Sequence, residues 1–214
     1  DQIEQEIAEA KEHILQATGE KPIGFRGPGF SWSPDLLEVL SEQGYLSDAS
    51  SLPTFLGPYA RMYYFWTSSN LTEKDKNRRK KLFGNFKDGF RPVKPYFWNL
   101  DSGLPLLEIP VTTIPIIKIP FHLSYLLYLN RFSNLIMSLY FGLALALCRM
   151  TKTEPSFLLH PLDLVDAKQV PELAFFPGMN LDKDWKSKVF LKTLKGLSKH
   201  FNLTPMNVHA ESIL

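Results

Sequence analysis

The stretch Pro22-Ile-Gly-Phe-Arg26, followed by Gly27-Pro28-Gly29, predicts a short buried strand that ends in a turn. Residues 1–18 precede it and carry apolar residues at positions 3, 7, 10, 14 and 17. That spacing is the 3.6-residue period of an amphipathic helix, and Gly19 is suited to end the helix as its C-cap. The chain therefore opens with a helix followed by a strand.

A second helix and strand follow the turn. Ser33-Pro34-Asp35 predicts a helix start, with the serine as N-cap, and Gly44 predicts its end. Residues 45–48 are the next strand candidate. Repeated β/α units of this kind bind substrates in loops at the carboxyl ends of the strands, which is where Arg26 and Asp48 fall.

Composition and charge indicate an ordinary globular chain. The 214 residues are 44% apolar and 21% charged, which predicts one domain over 1–214. A net charge of +2 gives no global field that would recruit nucleic acid. The single Cys148 cannot form an internal disulfide, so cysteine usage leaves the compartment open.

An irregular aromatic and apolar insertion is expected at about 59–149. Within it, the basic run Glu73–Lys81 is read as the solvated face of a helix, or as a contact for phosphate or anionic lipid. Leu106–Ile119 alternates β-branched residues with prolines, which favours a strand at an edge or a barrel rim.

Phe132–Cys148 is the most hydrophobic segment of the chain. As a helix its seventeen residues would span roughly 26 Å, a little less than the ~30 Å hydrocarbon core of a bilayer. We predict a buried or covering helix. An interfacial helix that contacts a membrane or a lipid-linked substrate, and a true membrane span, are the alternatives.

An apolar strand is predicted to end at His160, which Pro161 follows. A histidine at a strand end is placed like a catalytic residue of a barrel, although a structural hydrogen-bonding role is the competing interpretation. Asp163 is read as a helix N-cap or as a partner of the histidine.

Four segments together resemble the NodB-type polysaccharide deacetylases of the fourth carbohydrate-esterase family. Thr18-Gly-Glu-Lys-Pro22 and Phe25-Arg26-Gly-Pro28 resemble the family's turn and its Arg-x-Pro motif. Gly44-Tyr-Leu-Ser-Asp48-Ala-Ser50 resembles the Gly-Tyr-x-Tyr-Asp-Ser-Ser stretch of one branch, and Phe157-Leu-Leu-His160 resembles the final Leu-x-x-His motif. The segments occur in the family's order.

The resemblance implies a partial, distorted (β/α) barrel that hydrolyses N-acetyl groups of a polysaccharide or oligosaccharide with a divalent metal, most typically zinc. It also implies that the metal ligands lie upstream of Asp1, so we expect none in this chain, no tightly bound metal and no turnover without that upstream part. Two alternatives are a deformylase or deacetylase acting on a lipid-linked sugar, and an inactive glycan-binding barrel.

The resemblance also implies roles for individual residues. Arg26 would orient and stabilise the general-base carboxylate, and His160 would be the general acid for the departing amine. The turn at Pro28 and Gly29 would let the backbone approach the substrate, with the Gly29 amide as an oxyanion donor. Asp48 would hold His160 or bind sugar hydroxyls. Arg26 and His160 are therefore expected at one rim.

Overall fold

The structure is a computed structural model that describes residues 2–67 and 84–214. The basic run Glu73–Lys81 lies outside the described residues. The chain divides into two compact units. The first comprises Asp1–Val111 and Thr204–Leu214, and the second comprises Thr112–Leu203. That residues 1–214 form one deacetylase domain stays a prediction.

The described residues form helices joined by short strands and 3-10 turns. The helices are α1 (Gln2–Thr18), α2 (Pro34–Glu42), α3 (Gly57–Thr67), α4 (Leu123–Phe132), α5 (Asn134–Met150), α6 (Lys183–Ser198) and α7 (Met206–Ile213). The strands are β1 (Gly24–Phe25), β2 (Ser47–Asp48), β3 (Tyr96–Phe97) and β4 (Leu107–Glu108). Four 3-10 turns cover Pro28–Phe30, Phe86–Phe90, Pro161–Asp163 and Pro171–Leu173.

A small mixed sheet organises the first unit. Its strand order is β1-β2-β4-β3, with β1, β2 and β4 parallel and β3 antiparallel to β4. The predicted α/β class is therefore confirmed, and the first two strands lie where the sequence predicts them. No barrel closes among residues 2–67 and 84–214.

Helices cover the sheet of the first unit. Ile7 of α1 and Leu40 of α2 share a buried cluster with Leu106, which precedes β4. The N-cap of α2 forms as predicted, since Ser33 Oγ accepts a hydrogen bond from the Leu36 amide at 3.2 Å. A second cluster joins Leu107 of β4 to Ala210 of α7. Residues from both ends of the chain thus hold the sheet.

Three helices build the core of the second unit. Leu126 of α4, Met137 of α5 and Leu197 of α6 belong to one buried cluster. Full burial of one such side chain contributes roughly 1.5–3 kcal/mol, so this cluster is the main source of stability of the unit. The apolar face of α6 packs into this core.

The apolar segment Phe132–Cys148 becomes most of α5. Met137, Phe141 and Cys148 are buried, as expected for a covering helix, but Leu135 and Leu139 on the opposite side are exposed. None of the described helices combines the length and the apolarity that a membrane span requires.

Two predicted strands are corrected. Leu106–Ile119 contributes only Leu107–Glu108, and β4 lies between β2 and β3 rather than at an edge. Pro110 and Pro115 cannot donate ladder hydrogen bonds, which limits the strand to the residues before them. The residues before His160 form no strand, although the Leu158 carbonyl accepts a hydrogen bond from the Leu123 amide at 3.0 Å.

The turn after β1 depends on Gly27. A Cβ atom at this position would lie 1.9 Å from the Ser31 carbonyl oxygen, and 3.2 Å from Ser50 Oγ. Because backbone atoms cannot yield as a flexible side chain can, only glycine fits here. Gly29 and Phe30, inside the same turn, have positive φ angles of 59° and 60°.

Gly27→Ala is expected to lower the free energy of unfolding by about 3 kcal/mol, because the new methyl group forces the Ser31 carbonyl away. Urea unfolding measures the change. Gly142→Ala is the matched control: it lies in α5 with nothing within 4 Å of its Cβ position, so it should stabilise by about 0.5–1 kcal/mol. Equal midpoints for the two variants would contradict the tight turn.

Candidate functional site

The carboxyl ends of β1, β2 and β4 carry three charged side chains. Phe25 pairs with Asp48, and Asp48 pairs with Glu108, in the parallel registers of the sheet. Residues at one register of neighbouring strands direct their side chains to the same face, so the two carboxyl groups are neighbours. Arg26 follows Phe25 directly. Sheets of this class bind ligands outside such strand ends.

Asp48 and Glu108, here called the carboxyl pair, are fully buried. Asp48 Oδ1 accepts a hydrogen bond of 2.6 Å from Ser50 Oγ. Glu108 Oε1 accepts one of 2.9 Å from the Ser51 amide, and Oε2 accepts one of 3.0 Å from Trp98 Nε1. The pair is therefore fixed from three neighbouring residues.

The carboxyl pair holds a proton. Burial, followed by the charge of Asp48, raises the pKa of Glu108 to about 9, so Glu108 is neutral at pH 7. Burial also raises the pKa of Asp48. Asp48 Oδ2 is buried and accepts no hydrogen bond from an amide or hydroxyl group of the described residues. The protonated Glu108 is the donor that this oxygen requires.

Arg26 lies beside the pair. Its Nε donates a hydrogen bond of 3.1 Å to the Ala49 carbonyl. The side chain reaches solvent, but the atoms packed around the guanidinium desolvate it and lower its pKa, while Asp48 and Glu108 act in the opposite direction. Arginine nevertheless keeps its charge, so one fixed cation faces a pair that carries a single negative charge.

A layer of aromatic rings supports Glu108 from the β3 side. The Arg91 guanidinium lies 4.3 Å from the Trp32 ring centroid and 4.9 Å from that of Trp98. Asp88 Oδ1 forms a salt bridge of 2.9 Å with Arg91 Nε, and the ring centroids of the two indoles are 4.9 Å apart. This stack fixes the indole that donates to Glu108.

The turn at Pro28 and Gly29 is tied to the same strand end. The Gly27 amide donates a hydrogen bond of 2.8 Å to Ser50 Oγ, and Ser50 in turn donates to Asp48. The turn, Arg26 and Asp48 are thus brought together in the first unit. The oxyanion role of the Gly29 amide stays a prediction.

A second cluster lies in the second unit around His160. Its Nδ1 atom is 3.4 Å from Ser124 Oγ and 3.6 Å from Asp163 Oδ2. The His160 amide donates to the same oxygen at 2.9 Å. Ser124 Oγ donates to both Asp163 oxygens, at 2.9 and 3.0 Å. The imidazole is 51% exposed, whereas the Asp163 side chain is 10% exposed.

Asp163 is ionised and rigidly placed. Its burial raises the pKa, but hydrogen bonds from His160 and Ser124 outweigh burial and lower it. The loop that carries Asp163 is fixed by the buried Lys186 of α6, whose Nζ donates to the carbonyls of Leu162 at 3.0 Å and Val165 at 2.7 Å. Asp163 is not the N-cap of the turn; it occupies the third position and bonds back to the His160 amide.

His122 is the other histidine of this cluster. Its ring centroid lies 6.1 Å from that of His160 and 4.6 Å from that of Tyr125. Burial, followed by the charge of His160, lowers the pKa of His122 to about 4, so the ring is neutral. Its Nδ1 atom has no hydrogen-bond partner among the described residues.

The two clusters belong to different units, so the expectation that Arg26 and His160 share one rim stays a prediction. In the part of the chain that the structure describes, no three His, Cys, Asp or Glu side chains are grouped so as to hold a metal ion. Sequence reasoning missed Glu108 and Ser124. The signal for Glu108 was present, because it is the one charged residue in the apolar run Leu104–Ile109.

Glu108→Gln is expected to remove a pH dependence of stability. A glutamate with a pKa of about 9 when folded and about 4.5 when unfolded retains its proton only in the folded chain across this window. The free energy of unfolding of the unsubstituted protein therefore falls as pH rises from about 4.5 to 9, by at most about 1.4 kcal/mol per pH unit. Denaturant unfolding at about pH 5, 7 and 9 measures the slope.

At about pH 5 the glutamine variant should be less stable than the unsubstituted protein, because its amide nitrogen cannot accept the hydrogen bond that one of the two donors offers. Its pH slope should nevertheless be shallower. Glu211→Gln, at an exposed position in α7, is the control and should keep the slope. An unchanged slope in Glu108→Gln would show that another group causes the pH dependence.

Comparisons with known proteins add no relative to this picture. No family model matches the chain, and neither the curated proteins nor the solved structures contain a match to it. The proposed function therefore rests on the carboxyl pair, on the cluster around His160 and on the motifs of the sequence.

Proposed function

We propose that the chain is the C-terminal part of a metal-dependent carbohydrate N-deacetylase of the NodB type, with the sheet of the first unit as part of a distorted (β/α) barrel. One observation carries the proposal: a half-exposed histidine, His160, whose Nδ1 faces a buried, ionised Asp163. This arrangement is typical of a histidine that transfers a proton during hydrolysis.

His160 acts on the leaving group. With Nδ1 directed at Asp163, Nε2 on the other side of the ring is the atom that meets the substrate. Water adds to the acetyl carbon of the amide, the bond from that carbon to nitrogen breaks, and the Nε2 proton goes to the departing nitrogen. Acetate and a free amine result. Asp163 stabilises the imidazolium form that donates this proton.

Arg26 stabilises the negative charge of the carboxylate that activates the attacking water. Its guanidinium is held by the Ala49 carbonyl and by the single negative charge of the carboxyl pair, which leaves it oriented at the strand end. From there it binds a general-base carboxylate supplied by the upstream part of the polypeptide. The turn at Pro28 and Gly29 contributes an amide to the substrate oxyanion, and Asp48 keeps the turn in place through Ser50.

The described residues of this chain do not fit the metal that the resemblance implies. The described residues contain no group of three metal-binding side chains, and His122 and His160 with Asp163 do not make one. We therefore place the metal ligands upstream of Asp1. In the proposed reaction, His122 and His160 do not bind the metal.

A second candidate function is supported by the exposed apolar side chains of α4 and α5. These would suit a deformylase or deacetylase whose sugar substrate carries a lipid. The reacting groups would be the same, and only the neighbouring binding surface would differ. Hydrolysis of a water-soluble N-acetylated oligosaccharide and of a lipid-linked one, compared side by side, distinguishes the two candidates.

His160→Ala, made in the polypeptide that includes the upstream part, should lower turnover of an N-acetylated oligosaccharide by roughly 10²- to 10⁴-fold, the usual range for a lost general acid. Acetate release measures turnover, and metal content should stay near that of the unsubstituted protein. A substrate with a better leaving amine should restore the rate of this variant more than that of Arg26→Ala, because water activation is needed for every substrate.

His200→Ala is the control, since His200 is an exposed histidine that follows α6 in the same unit. It should leave turnover within about twofold of the unsubstituted protein, as expected of a surface substitution. Near-normal turnover in His160→Ala would refute the assignment of the general acid. Loss of bound metal in His160→Ala would instead identify this residue as a ligand.

A further inference from the structure

The second unit exposes large apolar side chains along two consecutive helices. Leu135, Leu139 and Met150 are 68%, 66% and 77% exposed. The complete set, here called the apolar face, is Tyr128, Phe132, Leu135, Ile136, Leu139, Leu143 and Met150. A monomeric protein rarely leaves so many large apolar side chains together in water, so this surface has a binding function.

Helix geometry explains why these side chains lie together. At 100° per residue, Leu135, Leu139, Leu143 and Met150 fall on one side of α5. The opposite side carries the buried residues of the core cluster, among them Phe141. Packing inside the unit therefore uses only one apolar side of α5, and the second apolar side needs another explanation.

A row of lysines adjoins this face. Lys188, Lys192, Lys195 and Lys199 follow α6 at spacings of four, three and four, which places them on one side of the helix, and all are exposed. Lys192 Nζ donates hydrogen bonds of 2.7 Å each to Asn134 Oδ1 and Ser138 Oγ. These two α5 residues flank the apolar face, so the lysine row runs along its edge.

The charge of this surface indicates which partner binds it. Leu123–Met150 contains no Asp or Glu, and its two charged residues are Arg131 and Arg149, both exposed. A second copy of the chain would bring the same positive charge to the contact and be repelled. An anionic lipid surface offers negative headgroups for the cations and an apolar boundary for the side chains.

We propose that the apolar face and the lysine row dock on the surface of an anionic lipid bilayer. The large side chains of α4 and α5 enter the boundary between headgroups and acyl chains, and the lysines of α6 contact the headgroups. This inference does not depend on the deacetylase proposal, because it uses neither His160 nor the carboxyl pair.

Vesicle sedimentation of the full chain tests the proposal. Vesicles of phosphatidylcholine alone are compared with vesicles that also contain phosphatidylglycerol, at about 0.1 M and about 1 M salt, where the screening length falls from roughly 10 to 3 Å. The protein should sediment with the anionic vesicles at low salt and bind them less at high salt. Binding to neutral vesicles should be weaker under both conditions.

Two variants separate the two parts of the surface. Lys188→Gln with Lys195→Gln should weaken binding to anionic vesicles by roughly 10- to 30-fold, and Lys192 is left in place because it contacts α5. Leu135→Gln with Leu139→Gln should weaken binding by at least roughly tenfold at either salt concentration. Circular dichroism confirms that each variant is folded.

Matched controls come from the first unit. Val208→Gln removes an exposed apolar side chain, and Lys21→Gln removes an exposed lysine; both should bind as the unsubstituted protein does. The proposal is overturned if the protein does not bind anionic vesicles, if it binds neutral ones equally well, or if the leucine variant binds unchanged. A dimer in solution that the leucine variant dissociates, without vesicle binding, would instead assign the face to self-association.

Discussion

Two carboxyl groups buried at one register of neighbouring parallel strands constrain the first unit. Asp48 and Glu108 cannot both be ionised at such close range in an environment without water, because their mutual repulsion adds to the cost of desolvation. Sharing a proton removes this conflict. The Ser50 hydroxyl, the Ser51 amide and the Trp98 indole are then placed as donors to the pair, and Arg26 supplies the balancing charge.

The second unit stabilises its buried carboxyl group in a different way. Asp163 is buried but ionised, because hydrogen bonds from its own turn and from Ser124 compensate for lost solvation. The neighbouring imidazole of His160 stays half in water, whereas that of His122 is buried and neutral. Two histidines whose rings lie 6.1 Å apart thus differ sharply in their exposure to solvent. Environments that differ over so short a distance are a feature of sites that move protons.

Local signals predicted α1, α2 and most of α5, and the reasons are physical. Ser33, Pro34 and Gly44 act through short-range geometry, so α2 could be located from its own residues. The burial of Glu108 could not be predicted in the same way, because it depends on the pairing of β4 with β2 across nearly sixty residues. The segment before His160 has the composition of a strand, yet it pairs with no strand among the described residues. Pairing partners are a tertiary property that a local pattern does not contain.

The return of the chain to the first unit determines the order in which the molecule can be completed during synthesis. Leu107 and Ile109 are covered by α7, which follows the whole of the second unit in the chain. The helical second unit is one continuous stretch of the chain, Thr112–Leu203, so it can form before the residues that follow it are made. The sheet, although translated earlier, keeps an uncovered apolar side until Met206–Ile213 emerges. Translation therefore completes the helical unit first, and α7, which is made later, covers the Leu107 and Ile109 side chains of the sheet.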